Sequence, residues 1–416
     1  MGNYQDRSEI DRTLEAVALR SRTKLLALLA ARFGDLSGAE DALSAAFASA
    51  LSTWPQLGCP ANPEAWLLTA ARRKWIDQMR LSHEIPSSEE LETVASKATE
   101  TIENEIPDRR LALLLACAHP AIDPSIHAPL MLQVVLGLEA SQIASVFLVS
   151  PAAMAQRLVR AKVKIRDTGI PFTIPDRNDL PARLEAVLEA IYACFCEGWA
   201  DPAETDLARS ELAEEALFLG RLLAELAPDQ PEALGLLALM LYTEARRFAR
   251  RTAEGKFVPL ALQNPALWNR QNIEEAEALL RKAGQAGIVG RYQLEAAIQS
   301  AHIEGALTKS MPWKAIVSLY DGLVNLTASP VASINRALAL AELAGARAGL
   351  AALEVVSSDP RLNSYQPYWA ASAHLLARTG SYDAARRSYQ LAIGLSADPA
   401  VREYLQQCSE NLPDQE

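Results

Sequence analysis

Apolar residues recur along this chain at three- and four-residue intervals, the period of a helix with one buried face, and no sustained alternating run predicts a strand. The pattern is clearest near the middle. Met154, Leu158, Ala161 and Ile165 form an inward stripe that predicts a helix from Pro151 to Ile165. Ser150 is placed to cap it, and Pro151 stands where a missing N–H costs nothing. A shorter helix over 140–147 precedes it, and Ile143 and Phe147 are expected to pack on the stripe. The two helices and their tight turn form a helix-turn-helix pattern. Ala152, Ala153, Gln156, Arg157, Arg160 and Lys164 fall on the outer face.

The same spacing sets out the rest of the chain. Leu14, Val17, Leu25, Leu28 and Leu29 predict a first helix, broken at Gly34-Asp35. A second runs from Ala39 to Trp54. The segment Pro55–Pro63 holds three prolines and one glycine and is expected to be a loop. A third helix begins near Glu64, with Trp66, Leu67, Ala70, Ile76 and Met79 inward and Arg72, Arg73, Lys74 and Arg80 among them. Ser82–Pro107 is acidic and poor in apolar residues, as a linker would be. Helices follow over 108–119 and 125–138, and beyond Pro175 over 184–195, 211–226 and 232–247. Arg250–Asn269 is irregular. Near the C-terminus, Trp313–Leu326, Val331–Leu343 and the run Gly380-x-Tyr382…Ala385…Tyr389…Ala392…Pro399 repeat as helical hairpins, about two and a half units with TPR-like spacing.

Composition narrows the function classes. Half of the 416 residues are apolar, aromatics are few, and the expected fold is all-α. The net charge of −11 argues against a protein that coats nucleic acid or anionic membrane non-specifically, so any DNA contact has to be local. Five cysteines, odd in number and widely spread, fit a reducing cytoplasm with free thiols. No signal peptide or membrane span is expected. Cys117, His119 and His127, or Cys194 and Cys196, lack the spacing of a metal site, so neither metal nor cofactor is expected. No Gly-rich phosphate loop or nucleophile elbow is present, so an enzyme is not expected either.

Against that acidic background, five basic residues and no acidic one lie between Gln156 and Arg166. A second helix with small residues at its start and cations along its outer face suits a DNA major groove. The same face would serve equally as a solvated surface on an ordinary helical pair. The basic run Arg72–Lys74, with Trp75 and Arg80 beside the Pro55–Pro63 loop and Asn62, suits opened DNA, where rings stack on bases and cations hold phosphates. Trp66 and Trp75 would also serve as core anchors, and Trp66 is expected to be one.

Ala39-Glu-Asp-Ala-Leu…Phe47, Ala65-Trp-Leu-Leu-Thr-Ala-Ala-Arg72 with Ile76-Asp77, and Met154-Ala-Gln-Arg-Leu-Val-Arg-Ala-Lys162 resemble regions 2 and 4 of an extracytoplasmic-function sigma factor. The likeness runs over roughly the first 170 residues. The later hairpins are similar to the subgroup with a long TPR-like extension, whose motif Asp383-x-x-Arg386 resembles. The resemblance implies four parts: region 2 over 1–85, an acidic linker over 86–107, region 4 over 108–170 and a TPR-like regulatory domain over 171–416. It also implies a subunit that binds core RNA polymerase and directs it to promoter DNA. Asp41 and Phe47 would face polymerase. Asn62, Arg72, Arg73, Lys74, Trp75 and Arg80 would lie at the −10 element, and the six outer-face residues of 151–165 at the −35 element. A protein or peptide is the implied ligand of the TPR-like groove. The chain departs from the pattern at Ser44 and Ala45 (usually Gln-Glu), at Arg73 (usually Asn), at Trp75 (usually small) and at Glu139-x-x-Gln142 (usually Thr-x-x-Glu). Two readings from other classes are a protein-docking scaffold with a degenerate sigma portion, favoured by Ser44 and Ala45, and a regulator that binds duplex DNA without polymerase.

Overall fold

A computed structural model describes residues 21–22, 25–30, 32–81, 109–135, 137–147, 149–170, 180–199 and 207–413. Leu14, Val17, the expected acidic linker over 86–107 and residues 171–179 lie outside the described residues. Among the described residues the fold is all-α, with one isolated antiparallel bridge between Arg251 and Phe257. The chain forms two compact units, residues 1–198 with 208–222, and 199–207 with 223–416.

In the first unit, α1 (Leu36–Leu57) packs on α2 (Pro63–Leu81), and Trp54, buried in α1, meets Trp66 edge to face at 5.5 Å. The expected loop is shorter than Pro55–Pro63, because α1 continues through Pro55 to Leu57 before Gly58 turns with φ +88°. The Gly58 N–H donates to Trp54 O at 2.9 Å and closes that last turn. Then come α3 (Arg109–Cys117), α4 (Pro124–Val134), α5 (Ala140–Val146) and α6 (Pro151–Thr168). Helices α4 and α5 pack against α6, and α6 also packs on α1.

The next helices are α7 (Leu180–Trp199) and α8 (Leu207–Leu226), of which the residues up to Gly198 and Ala208–Leu222 belong to the first compact unit. Buried Arg183 of α7 donates from Nη1 to the Leu115 carbonyl of α3 at 3.0 Å. A buried guanidinium in that position binds α7 to the region before it.

The second unit is built on α9 (Pro231–Glu244), in which every residue from Ala233 to Tyr242 is buried. A helix apolar on all sides needs cover on all sides, and α10 (Arg270–Gly284) and α11 (Arg291–Thr308) supply it. Gly235 makes the α9–α11 approach feasible, since a Cβ there would stand 2.8 Å from the Gln293 nitrogen. Glu232 caps α11 from a distance in sequence, accepting from the Tyr292 and Gln293 N–H groups at 2.9 and 3.1 Å. The expected hairpins follow as α12 (Trp313–Thr327), α13 (Pro330–Ala344), α14 (Ala346–Glu354), α15 (Gln366–Arg378), α16 (Tyr382–Leu395) and α17 (Pro399–Glu410). Each packs on its successor, and Ile334, Leu353, Leu362 and Leu375 form one continuous core with Tyr365 and Tyr368 against it.

Candidate nucleic-acid interface

Helix α6 has defined ends. Ser150 Oγ accepts from the Ala153 N–H at 3.3 Å, Pro151 follows, and Gly169 stops the helix in the left-handed region at φ +62°. Met154, Leu158, Ala161 and Ile165 are buried. Ala152, Ala153, Gln156, Arg157, Arg160 and Lys164 are all exposed, a continuous open face with three cations. Val159 and Val163 are also exposed beside them, a small apolar strip on the same surface.

Not every cation of the helix is open. Lys162 turns to α1 and pairs with Glu40, Nζ to Oε2 at 2.6 Å, with side chains only 13% and 17% exposed. The pair lies near buried Cys117 of α3, whose thiol is pushed up to about 12, chiefly by burial. Arg166 pairs with Asp167 at the helix end.

Helix α5 has a better start than its sequence suggests. Gln142 Oε1 accepts from the Glu139 N–H at 2.8 Å, the returning half of a capping box. Gln at the third helical position was the available signal. The Glu139 carboxylate accepts from Ser141 Oγ, at 3.4 Å.

The second candidate surface is on α1 and α2. Asp41 and Ser44 are exposed on α1, and Phe47 and Ala45 are half-buried. Asn62 is the start of α2: its Oδ1 accepts from the Ala65 N–H at 3.0 Å. Arg72 is half-buried, while Arg73 and Lys74 are exposed. Trp75 is stacked on Phe33, with centroids 4.2 Å apart and planes 7° from parallel. Two aromatic rings more than forty residues apart in sequence thus form one platform beside the exposed pair Arg73–Lys74. Arg80 lies in α2, with its side chain outside the described residues.

The cysteine and histidine groups have ordinary surroundings. His127 is buried with Nε2 3.0 Å from the Ile122 carbonyl, and His119 Nδ1 accepts from the Ala121 N–H. Burial raises the Cys194 thiol well above its usual range, and its sulfur donates to the Leu212 carbonyl. Among the described residues, no group of three or more metal-ligating side chains comes together. No helix of the described residues is long and apolar enough to cross a membrane.

In the second unit, Asp383 and Arg386 face each other at 3.5 Å on α16, with Asp383 largely exposed. Arg386 also donates to the carbonyls of Leu412 and Pro413, at 3.3 and 2.8 Å. The arginine therefore anchors the residues after α17, a role its i,i+3 spacing does not reveal.

Comparison with known families accords with this geometry. Residues 18–83 match the family described as sigma-70 region 2, and residues 183–284 match a family of unknown function, DUF6596. The sigma-70 region 2 match supports a sigma-70-type role in transcription initiation, with core RNA polymerase and promoter DNA as the partners it implies. The chain belongs to the same family as an uncharacterized protein of Rhizobium meliloti (strain 1021), to which it is 35% identical over 406 residues, 96% of each chain. No solved structure matches the chain.

Proposed function

We propose that the protein is an alternative sigma factor of the extracytoplasmic-function type, acting in the cytoplasm, without enzymatic activity of its own, and carrying a TPR-like regulatory extension. It binds core RNA polymerase through the face of α1 that bears Asp41 and Phe47. Asn62, Arg72, Arg73, Lys74, Trp75 and Arg80 engage the −10 element as it opens. Helix α6 reads the −35 element in the major groove with Ala152, Ala153, Gln156, Arg157, Arg160 and Lys164. The observation that carries this reading is the α6 face: six residues exposed together, three of them cationic, on a helix capped at both ends in an acidic chain. The small Ala152 and Ala153 let the helix start approach base edges, and each bidentate Arg contact is worth about 1–3 kcal/mol of discrimination. The hairpins α12 to α17 form the regulatory extension, and a protein or peptide is its ligand.

The test is single-round transcription with purified core polymerase on pooled genomic fragments, comparing the full chain with residues 1–222. The cut belongs after Leu222 because Arg183 and Cys194 bind partners within the first unit. Promoter-specific transcripts are the expected result, and the shorter chain tells whether the extension activates or restrains. Absence of transcripts together with absence of co-elution with core polymerase would overturn the reading.

A further inference from the structure

The segment between α9 and α10 carries Arg246, Arg247, Arg250 and Arg251. All four are partly withdrawn from water. Arg247 and Arg250 lie over the Trp199 ring, 5.2 and 4.1 Å from its centroid. Arg250 also donates to the Trp199 carbonyl at 3.0 Å. Two carboxylates answer the four cations: Glu244 takes Arg247 through both oxygens, at 2.6 and 2.8 Å, and Asp398 pairs with Arg251. Among the described residues the hydrogen-bond partner of Arg246 is neutral, Gln299 Oε1 at 2.6 Å. Asp398 also lies near enough to favour the charged form of Arg250, so among the described residues the four cations and two carboxylates leave a net excess of two positive charges. Burial, reinforced by the other three arginines, lowers Arg250 to about 10, and burial lowers Arg246 to about 10.

Donors are left over as well. Arg246 Nε, Arg247 Nη1 and Arg251 Nε are buried with no hydrogen-bond partner among the described residues. Trp268 Nε1 is also unpartnered, and the Asn269 N–H donates to the Ala245 carbonyl at 2.9 Å, which holds this indole segment beside Arg246. An orphaned buried donor is costly, so several in one cluster call for an acceptor. Water would satisfy the N–H groups but not the charge. A group with several oxygens and two negative charges satisfies both, and guanidinium forks suit phosphate geometry. The cluster also lies inside the span matched by the family of unknown function.

We propose that Arg246, Arg247, Arg250, Arg251 and the Trp268 indole bind the phosphate group of a small phosphorylated ligand, with Trp199 as the platform that holds two of the guanidiniums. The site is separate from the α6 face and does not depend on the sigma-factor reading.

The test is equilibrium dialysis of the full chain, without polymerase or DNA, at constant ionic strength. The probes are inorganic phosphate and glycerol 3-phosphate, with acetate as the carboxylate. One saturable site per chain is expected, with a Kd below about 1 mM, for which the two phosphates compete and acetate does not. Arg246→Lys and Arg251→Lys keep the charge but lose the fork, and are expected to weaken binding by about tenfold or more. Arg157→Ala on α6 leaves it unchanged. If the lysine variants fail to fold by circular dichroism, the wild-type isotherm decides. A non-saturating isotherm, equal competition by acetate, folded lysine variants that bind normally, or loss of the site in Arg157→Ala would each overturn the proposal.

Discussion

Lys162 Nζ stands 2.6 Å from Glu40 Oε2, so the helix bearing the exposed basic face is tied to the helix bearing Asp41. Removing one partner leaves the other charge in a poorly hydrated place beside buried Cys117. Glu40→Gln is expected to lower the stability of the first unit by about 1–3 kcal/mol. A double-mutant cycle with Lys162→Met, read by calorimetry, is expected to show coupling of the same order. Additive effects would mean that the pair is a bystander.

The same contact bears on the proposed function. On that reading α2, which packs on α1, and α6 engage two separate promoter elements, and the α1–α6 contact is expected to part when both are bound. A short bismaleimide bridge between Glu40→Cys and Lys162→Cys, in a background lacking the other cysteines, is expected to block transcription. The unbridged double variant is expected to remain active. Full activity of the bridged protein would show that the contact persists on the promoter.

Arg157 is exposed on α6 and is not part of its buried stripe. Arg157→Ala is expected to change stability by no more than about 0.5 kcal/mol. Transcription from its promoters is expected to fall on the order of tenfold, from a lost base contact of about 1–3 kcal/mol. A lower melting temperature with unchanged transcription would remove α6 from the promoter.

Trp75 stacks on Phe33 and is only half-buried. Trp75→Phe is expected to keep the platform, and Trp75→Ala to destabilise the first unit by about 2–4 kcal/mol. If Trp75→Ala instead keeps its melting temperature and loses only promoter opening, measured by permanganate footprinting, the ring works mainly on DNA.

His302 is held at about 4, chiefly by burial and secondarily by Arg246, and its ring meets Trp313 edge to face at 5.8 Å. The unfolded chain protonates this histidine near its ordinary 6.5, well before the folded protein does. Its contribution to stability is therefore fully present above pH 6.5 and is lost as pH falls toward 4, by about 2–4 kcal/mol. Urea unfolding of the wild type at pH 7 and pH 4.5 is expected to show that much more acid loss than the same pair of measurements on His302→Gln. An identical pH dependence in the two proteins would disprove it.

Local patterns settled much of this protein from the sequence alone. The period of Met154, Leu158, Ala161 and Ile165, the Ser150-Pro151 start and the glycine at 169 are signals within one or two turns of chain, and α6 follows from them. The hairpins from Trp313 onward were legible for the same reason, since small and aromatic residues recur there at fixed intervals. Fold class and the open basic face needed nothing more. What the tertiary structure decided depends on residues distant in sequence. Lys162 looks like a fifth free cation until Glu40 arrives 122 positions away to neutralise it. Trp75 gains Phe33, and Arg386 reaches Leu412 and Pro413. Arg183 joins α7 to α3 within the first compact unit. The arginine cluster reads as ordinary basic residues until burial, with the Trp199 ring under two of them, withdraws them from water. Periodicity tells which face of a helix turns inward, but pairing of charges and orphaning of donors depend on which other helix covers that face.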